Sequence, residues 1–311
     1  MPAAETAAAG GRRAARRVLQ ATLIHRHGDR SPITPCGSET FWSGRLPSRE
    51  MLGQLARKFP TAPAASCNVS EHFAAGKPPY GQLSQLGVDQ LVAVGMQLRS
   101  RLGWDGVQHP ASISSSGEPL LLQCFSTPFS RTIQSAQALL SGLVSGAEHG
   151  SVQVNTSLIG QLLLPDPSPR HPRQAALEAA FWSSESLQHA HAQRDELRER
   201  VAAELVSAGV VRHLDVFRGS DGAISWNRLA EVGNCLAAHG GGGGGSADQQ
   251  LEMVLARADL QAVVEFAAWR WHTLFDNREL VRYAIGGTVL SNLALRWHIY
   301  SRNLQLALAS C

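Results

Sequence analysis

Within seven positions, Arg26-His27-Gly28-Asp29-Arg30-Ser31-Pro32 sets one imidazole between two guanidiniums. Arginine presents a planar fork of donors that fits phosphate oxygens, and it keeps its charge. A neutral imidazole held between two such forks can attack a phosphorus atom whose oxygens they grip. The stretch follows an apolar run, Val18 to Ile24, which reads as a short buried strand. Gly28 then reads as the residue that lets the backbone turn sharply after it. Strand ends are where α/β enzymes place ligand sites. The plainer reading, a surface Arg/His cluster at a strand end, asks less of the fold.

A second segment repeats the logic. Leu120 to Phe125 reads as another buried strand, and a helix is expected from Pro128, a favoured first-turn residue, with Thr127 as its cap. Its apolar face is Phe129, Ile133, Ala136, Leu140 and Leu143. Arg131 falls in the first turn, near free N–H groups and the positive end of the helix dipole, a ready anion site. A further helix is expected from Ser84 as N-cap, with Leu83, Gly87, Leu91, Val94 and Leu98 along one face. Strand–turn–helix units of this kind define an α/β architecture.

The composition is that of a globular chain of 311 residues, 44% hydrophobic and 17% charged. Arg12, Arg13, Arg16 and Arg17 against Glu5 account for the whole net charge of +3. The rest is neutral, which argues against a nucleic-acid partner. No apolar run has membrane-spanning length, so no transmembrane segment is expected. Residues 1–17 read as a basic disordered tail. They lack the apolar core of a secretory signal. A cytoplasmic location is favoured, with organellar import through the Ala- and Arg-rich start as the alternative. Cys36, Cys67, Cys124, Cys235 and Cys311 are too few and too scattered for a disulfide framework or a metal site. Asn68-Val69-Ser70 and Asn155-Thr156-Ser157 fit the glycosylation pattern, which recurs by chance.

Residues 183–212 read as one charged amphipathic helix with a solvated face, carrying Arg194, Asp195, Glu196, Arg198, Glu199 and Arg200. His189 and His191 lie two apart and cannot share a helix face, so no metal site is expected there. Gly240 to Gly245 reads as a flexible loop insertion. Trp269, Trp271 and Phe275 read as core or cap packing of an aromatic-rich helix, with Asp276 to Glu279 as its polar exit.

Arg-His-Gly-x-Arg-x-Pro after a strand resembles the signature of the histidine acid phosphatases, the second branch of the histidine phosphatase superfamily. Gly81-Gln82-Leu83-Ser84-Gln85-Leu86-Gly87 is similar to the family's Gly-Gln-Leu-Thr-x-x-Gly segment. Phe125-Ser126-Thr127-Pro128-Phe129-Ser130-Arg131-Thr132 resembles its Arg-Ser-Thr-x-x-x-Arg-Thr segment, with Phe125 where an Arg is usual. Weaker echoes are Trp226 to His239 and Gly286 to Leu290. The layout looks closest to the lysophosphatidic-acid-type acid phosphatases, over roughly residues 18 to 295.

The resemblance implies a phosphoglycerate-mutase-like fold: a mixed, mostly parallel sheet flanked by helices, with a helical cap. It implies one domain over 18–311, its core about 18–60, 105–150 and 255–311 and its cap segments about 61–104 and 151–254. It also implies hydrolysis of a phosphomonoester, a lysophospholipid or another small organic phosphate, without metal or cofactor. His27 is then the nucleophile, and Arg26, Arg30 and Arg131 bind the phosphate. The family's leaving-group acid is the Asp of a late His-Asp pair on a core strand. No His-Asp dipeptide occurs in the 311 residues, so the proton donor is unknown and that strand is expected to be missing. Asp29 and Glu39 are merely near in sequence. An impaired acid phosphatase, a fragment of an active enzyme and a phosphate-binding pseudophosphatase all remain open.

Overall fold

Short hydroxyl caps start the first helices of the computed structural model, which describes residues 23–62, 77–104, 122–144, 152–156, 172–239 and 258–283. Ser38 accepts from the Phe41 N–H ahead of α1 (Glu39–Ser43), and Ser48 from the Met51 N–H ahead of α2 (Arg49–Lys58). Ser84 accepts from the Gly87 N–H ahead of α3 (Gln85–Arg101). Each hydroxyl satisfies an amide that the helix leaves without a carbonyl.

The third helix therefore starts where its cap predicts. Its buried line runs Gly87, Val88, Leu91 and Gly95, whereas Val94, expected on the inner face, is exposed. The cause is close contact with α4 (Ser130–Leu143). A Cβ on Gly95 would strike the Leu139 carbonyl, and one on Gly142 the Val92 carbonyl. The inner face of α3 thus passes through a glycine. The fourth helix itself starts at Ser130 rather than Pro128. Phe129 is the N-cap in extended conformation, with no side-chain cap bond. The Thr127 hydroxyl donates instead to the Thr132 hydroxyl at 2.8 Å.

The strand expected before this helix is present as β1 (Cys124–Phe125), paired in parallel with β2 (Val154–Asn155). On the other side of β2, Thr61 forms a parallel bridge to Val154, and Val154 is completely buried. Among the described residues there follow the α-helices α5 (Pro172–Trp182), α6 (Glu185–Ala192), α7 (Asp195–Ser207), α8 (Trp226–His239) and α9 (Ala258–Phe275), and the short α10 (Arg278–Val281). The described chain is mixed α/β and rich in helix, with a small parallel sheet.

Two apolar clusters hold these elements. One gathers Leu55, Phe59, Leu83, Leu91, Leu140 and Val154 around α2, α3, α4 and the sheet. The other gathers Trp42, Leu205, Phe217, Trp226, Leu236 and Phe266 around α1, α7, α8 and α9.

Three expectations need correction. Residues 183–212 are not one helix: the Gln193 and Arg194 amides bond back to the His189 and His191 carbonyls, ending α6 before α7 begins. Leu23 and Ile24, the described end of the run expected as a buried strand, lie outside any strand and are exposed. Trp269, Trp271 and Phe275 are exposed by 43%, 42% and 39%, because α9 buries the stripe through Leu260, Val263, Phe266, Ala267 and Leu274 and these rings flank it. Trp271 stacks on Phe275 and meets Trp182 edge to face, and Trp269 stacks on Phe266.

Cys36, Cys124 and Cys235 are free thiols. Among the described residues no helix is long and apolar enough to cross a membrane. The basic tail, residues 18–22, Cys67, the Asn68 pattern, the glycine run at 240–245, the Gly286 segment and Cys311 lie outside the described residues.

Candidate active site

The segment after His27 is laid along the start of α3. Arg30 bridges Leu83 in antiparallel fashion, and the Ser31 amide donates to the Gln82 carbonyl at 2.9 Å. The Asp29 carbonyl accepts from both the amide and the hydroxyl of Ser84, at 3.0 and 2.9 Å. The Asp29 amide donates to Gln90 Oε1 at 3.1 Å, and Gln90 Nε2 donates to the Asp29 carboxylate.

Gly28 does not take the left-handed conformation that the sharp-turn reading predicts. It is needed for space: a Cβ there would strike the Gly87 carbonyl, and a Cβ on Gly87 would strike the Asp29 carbonyl. On the other side the Gly28 amide donates to Ser135 Oγ at 3.1 Å, and Ser135 Oγ donates to the Arg131 carbonyl at 2.7 Å. Ser135 thus ties the His27-Gly28 segment to the helix turn that carries Arg131.

His27 Nδ1 lies 2.7 Å from the Gly28 carbonyl oxygen. A carbonyl only accepts, so Nδ1 carries the proton and Nε2 keeps its lone pair. Burial, above all, pushes the His27 pKa down to about 4; the Gly28 bond opposes this, and the charges of Arg26, Arg30 and Arg131 add to it. The imidazole is therefore neutral well into the acid range.

All three predicted arginines act on this ring. Arg131 Nε and Nη1 are buried with no hydrogen-bond partner, and its guanidinium carbon stands 4.6 Å from the Phe129 ring centroid. Burial and the fields of Arg30 and Arg26 lower its pKa, against the pull of Glu231. Arg30 Nη1 donates to the Ser31 carbonyl at 2.9 Å, while its Nε is buried without a partner. Arg26 is exposed. Buried polar groups are normally paired. Three guanidinium nitrogens without acceptors beside one neutral imidazole form a site short of an anion.

One acid completes the arrangement, and no motif announced it. Glu231, on α8, places Oε1 2.6 Å from Arg30 Nη1. It also accepts from the Ile33 and Thr34 amides at 2.8 and 3.2 Å and from the Thr34 hydroxyl at 2.8 Å. Burial alone would raise its pKa; Arg30 and these donors more than offset that and hold the carboxyl below the usual carboxylate value. Its sequence signals are a charge inside Leu229-Ala230-Glu231-Val232-Gly233 and its place within the weak family echo from Trp226 to His239. Glu39 is exposed at the start of α1.

The Arg26-His27-Gly28-Asp29-Arg30 segment is thus held by Ser135 against the helix turn that carries Arg131. Residues 17–201 match the family model of the histidine phosphatase superfamily (branch 2), more than half of the chain, and the chain belongs to that superfamily. Comparison with curated proteins finds no match. Membership supports phosphatase-type hydrolysis in general. Glu231 and α8 lie beyond the matched residues.

Proposed function

We propose that the chain hydrolyses phosphomonoesters through a phosphohistidine on His27, as acid phosphatases do. The carrying observation is a neutral imidazole with its Nδ1 proton tied to Gly28, among arginines whose buried nitrogens have no acceptor. His27 Nε2 forms a bond to phosphorus, and the ester P–O bond breaks to release an alcohol. Water then adds to phosphorus, the N–P bond breaks, and inorganic phosphate leaves with His27 restored. Arg26, Arg30 and Arg131 neutralise the equatorial oxygens, where most of the charge of phosphoryl transfer sits. The substrate is a small organic phosphate; a lysophospholipid fits the resemblance.

A second reading rests on one observation: the 311 residues contain no His-Asp dipeptide. On that reading the site holds phosphate without turning it over. The test is hydrolysis of p-nitrophenyl phosphate by the chain and by His27→Ala. Loss of turnover in the variant supports the nucleophile. Equal turnover in both, above a mock preparation, overturns it, and no turnover in either, with phosphate still bound, favours the second reading.

A further inference from the structure

Unpaired buried guanidinium nitrogens occur at a second place, among α6, α7, α8 and α9. Arg198 Nε, Arg270 Nε, His191 Nε2 and the Trp226 indole Nε1 are all buried, and none has a hydrogen-bond partner among the described residues. Each sits where its element calls for an apolar side chain. Arg270 is four residues from Phe266 and from Leu274, three from Ala267, in the middle of the buried stripe of α9. Arg198 shares the inner face of α7 with Val201, Ala202 and Leu205. His191 is one turn from the buried Leu187 on α6.

Ring contacts join His191, Trp226 and Arg198, and Arg270 lies one helical turn from the Phe266 ring that His191 and Trp226 touch. The Trp226 and Phe266 rings meet edge to face at 4.6 Å, and His191 packs on both, at 6.2 and 5.5 Å. The Arg198 guanidinium carbon lies 5.6 Å from the Trp226 ring, and that of Arg270 lies 4.9 Å from the Trp182 ring. Aromatic faces attract these cations without accepting hydrogen bonds along their N–H directions. Negative charge here comes from Asp195, whose Oδ1 lies 3.2 Å from Arg198 Nη2 and is itself buried without a hydrogen-bond partner, and from the more exposed Glu199, 3.8 Å from Arg198 Nη2. Neither forms an ion pair with Arg270, which is only 9% exposed. Burial pushes the Arg270 pKa down to about 10, with Arg198 adding to it, and His191 is lowered by burial and by both arginines. Leaving such charges uncompensated is costly.

We propose that Arg198, Arg270, His191 and the Trp226 indole N–H form a second anion site, distinct from that at His27, which takes a small oxyanion, a phosphate or a carboxylate. An oxyanion supplies the acceptors that the two guanidiniums and the indole lack, and one for His191 Nε2 in the tautomer that protonates it, and its charge offsets the guanidiniums. The aromatic rings hold the arginines in place before the anion arrives, which lowers the ordering cost of binding.

The experiment is calorimetric titration of the full chain with inorganic phosphate and, separately, with acetate. Two classes of site are expected across the wild-type titrations. Arg270→Met, which keeps the aliphatic stem over Trp182, weakens one class by about tenfold or more, the size of a lost charge-assisted bond. Arg131→Ala weakens the other. Should Arg270→Met fold poorly, Trp226→Phe removes the indole donor while keeping an aromatic ring at that place, and weakens the same class several-fold. The class lost in Arg270→Met identifies the ligand: if it is filled by phosphate the site takes phosphates, if by acetate it takes carboxylates. Thermal unfolding gives an independent readout. Without anion, Arg270→Met melts above wild type; with anion, wild type gains and the variant loses part of that gain. Isotherms and melting curves that respond to both anions identically in wild type and Arg270→Met overturn the proposal. If Arg131→Ala leaves binding unchanged while Arg270→Met removes a class, the reading of the His27 site fails and this one stands.

Discussion

Glu231 Oε1 lies 2.6 Å from Arg30 Nη1, and the two side chains are only 15% and 12% exposed. The carboxylate holds Arg30, one of the three arginines proposed to bind phosphate, and, through the Ile33 and Thr34 amides, the segment that follows it. Removing one partner of such a pair leaves an uncompensated charge and costs roughly 2–4 kcal/mol, the lower part of the buried-pair range because neither partner is fully buried. Glu231→Gln should lose about that much stability at neutral pH in urea unfolding. Glu231 has a depressed pKa in the folded state, so the stability it contributes is present above its unfolded value and is lost as pH falls through its folded value. The deficit of Glu231→Gln should therefore shrink below about pH 4, the ordinary carboxylate range. A constant deficit across pH would contradict the pairing.

Arg131 offers two buried nitrogens without partners. Arg131→Ala should weaken phosphate or vanadate binding at the His27 site by roughly tenfold to a hundredfold, the worth of a charge-assisted contact. Arg131→Lys should restore only part, since the fork geometry is gone. Calorimetry on the three proteins is the check, and unchanged affinity in the alanine variant places Arg131 outside the pocket.

How much of this was legible in the sequence depends on how local each interaction is. Ser84 and α3 were legible because a cap and its helix are neighbours in the chain. The sequence puts Arg131 in a first turn but not the helix start at Ser130, since the choice between Thr127 and Phe129 as cap turns on a hydroxyl bond between Thr127 and Thr132. Gly28 was correctly singled out for the wrong reason: the Gly87 carbonyl above it comes from another segment. Glu231 was invisible, because its four partners at positions 30, 33 and 34 come from the other end of the described chain. Arg198 was assigned to a solvated face because periodicity alone does not reveal that α7 turns that residue toward Trp226.

Burial of His27 carries a pH consequence. Its titration in the free protein, followed by NMR of the ring proton and assigned with His27→Ala, should centre near pH 4 rather than near the ordinary 6.5. Arg131→Ala removes one repelling charge and should move the midpoint upward. A wild-type midpoint near 6.5 would mean that the ring is not held buried among the arginines.

An alkoxide leaves poorly without a proton, whereas p-nitrophenolate leaves without one. Because the 311-residue chain has no His-Asp dipeptide, it should cleave p-nitrophenyl phosphate relatively better than glycerol phosphate. Loss of general acid catalysis typically costs about 10²–10⁴-fold, falling mainly on the alkyl ester. Comparable, rapid rates on both substrates would reveal an acid that the motif did not predict.

The central claim is a covalent bond between phosphorus and His27 Nε2, and trapping it is the most direct test. The chain is mixed with p-nitrophenyl phosphate, quenched in alkali, where phosphohistidine survives, and mapped by peptide mass spectrometry. Phosphate is expected on the peptide containing His27, absent from His27→Ala and lost on brief acid treatment. Steady turnover with that peptide unmodified, or with the phosphate on another residue, would contradict it.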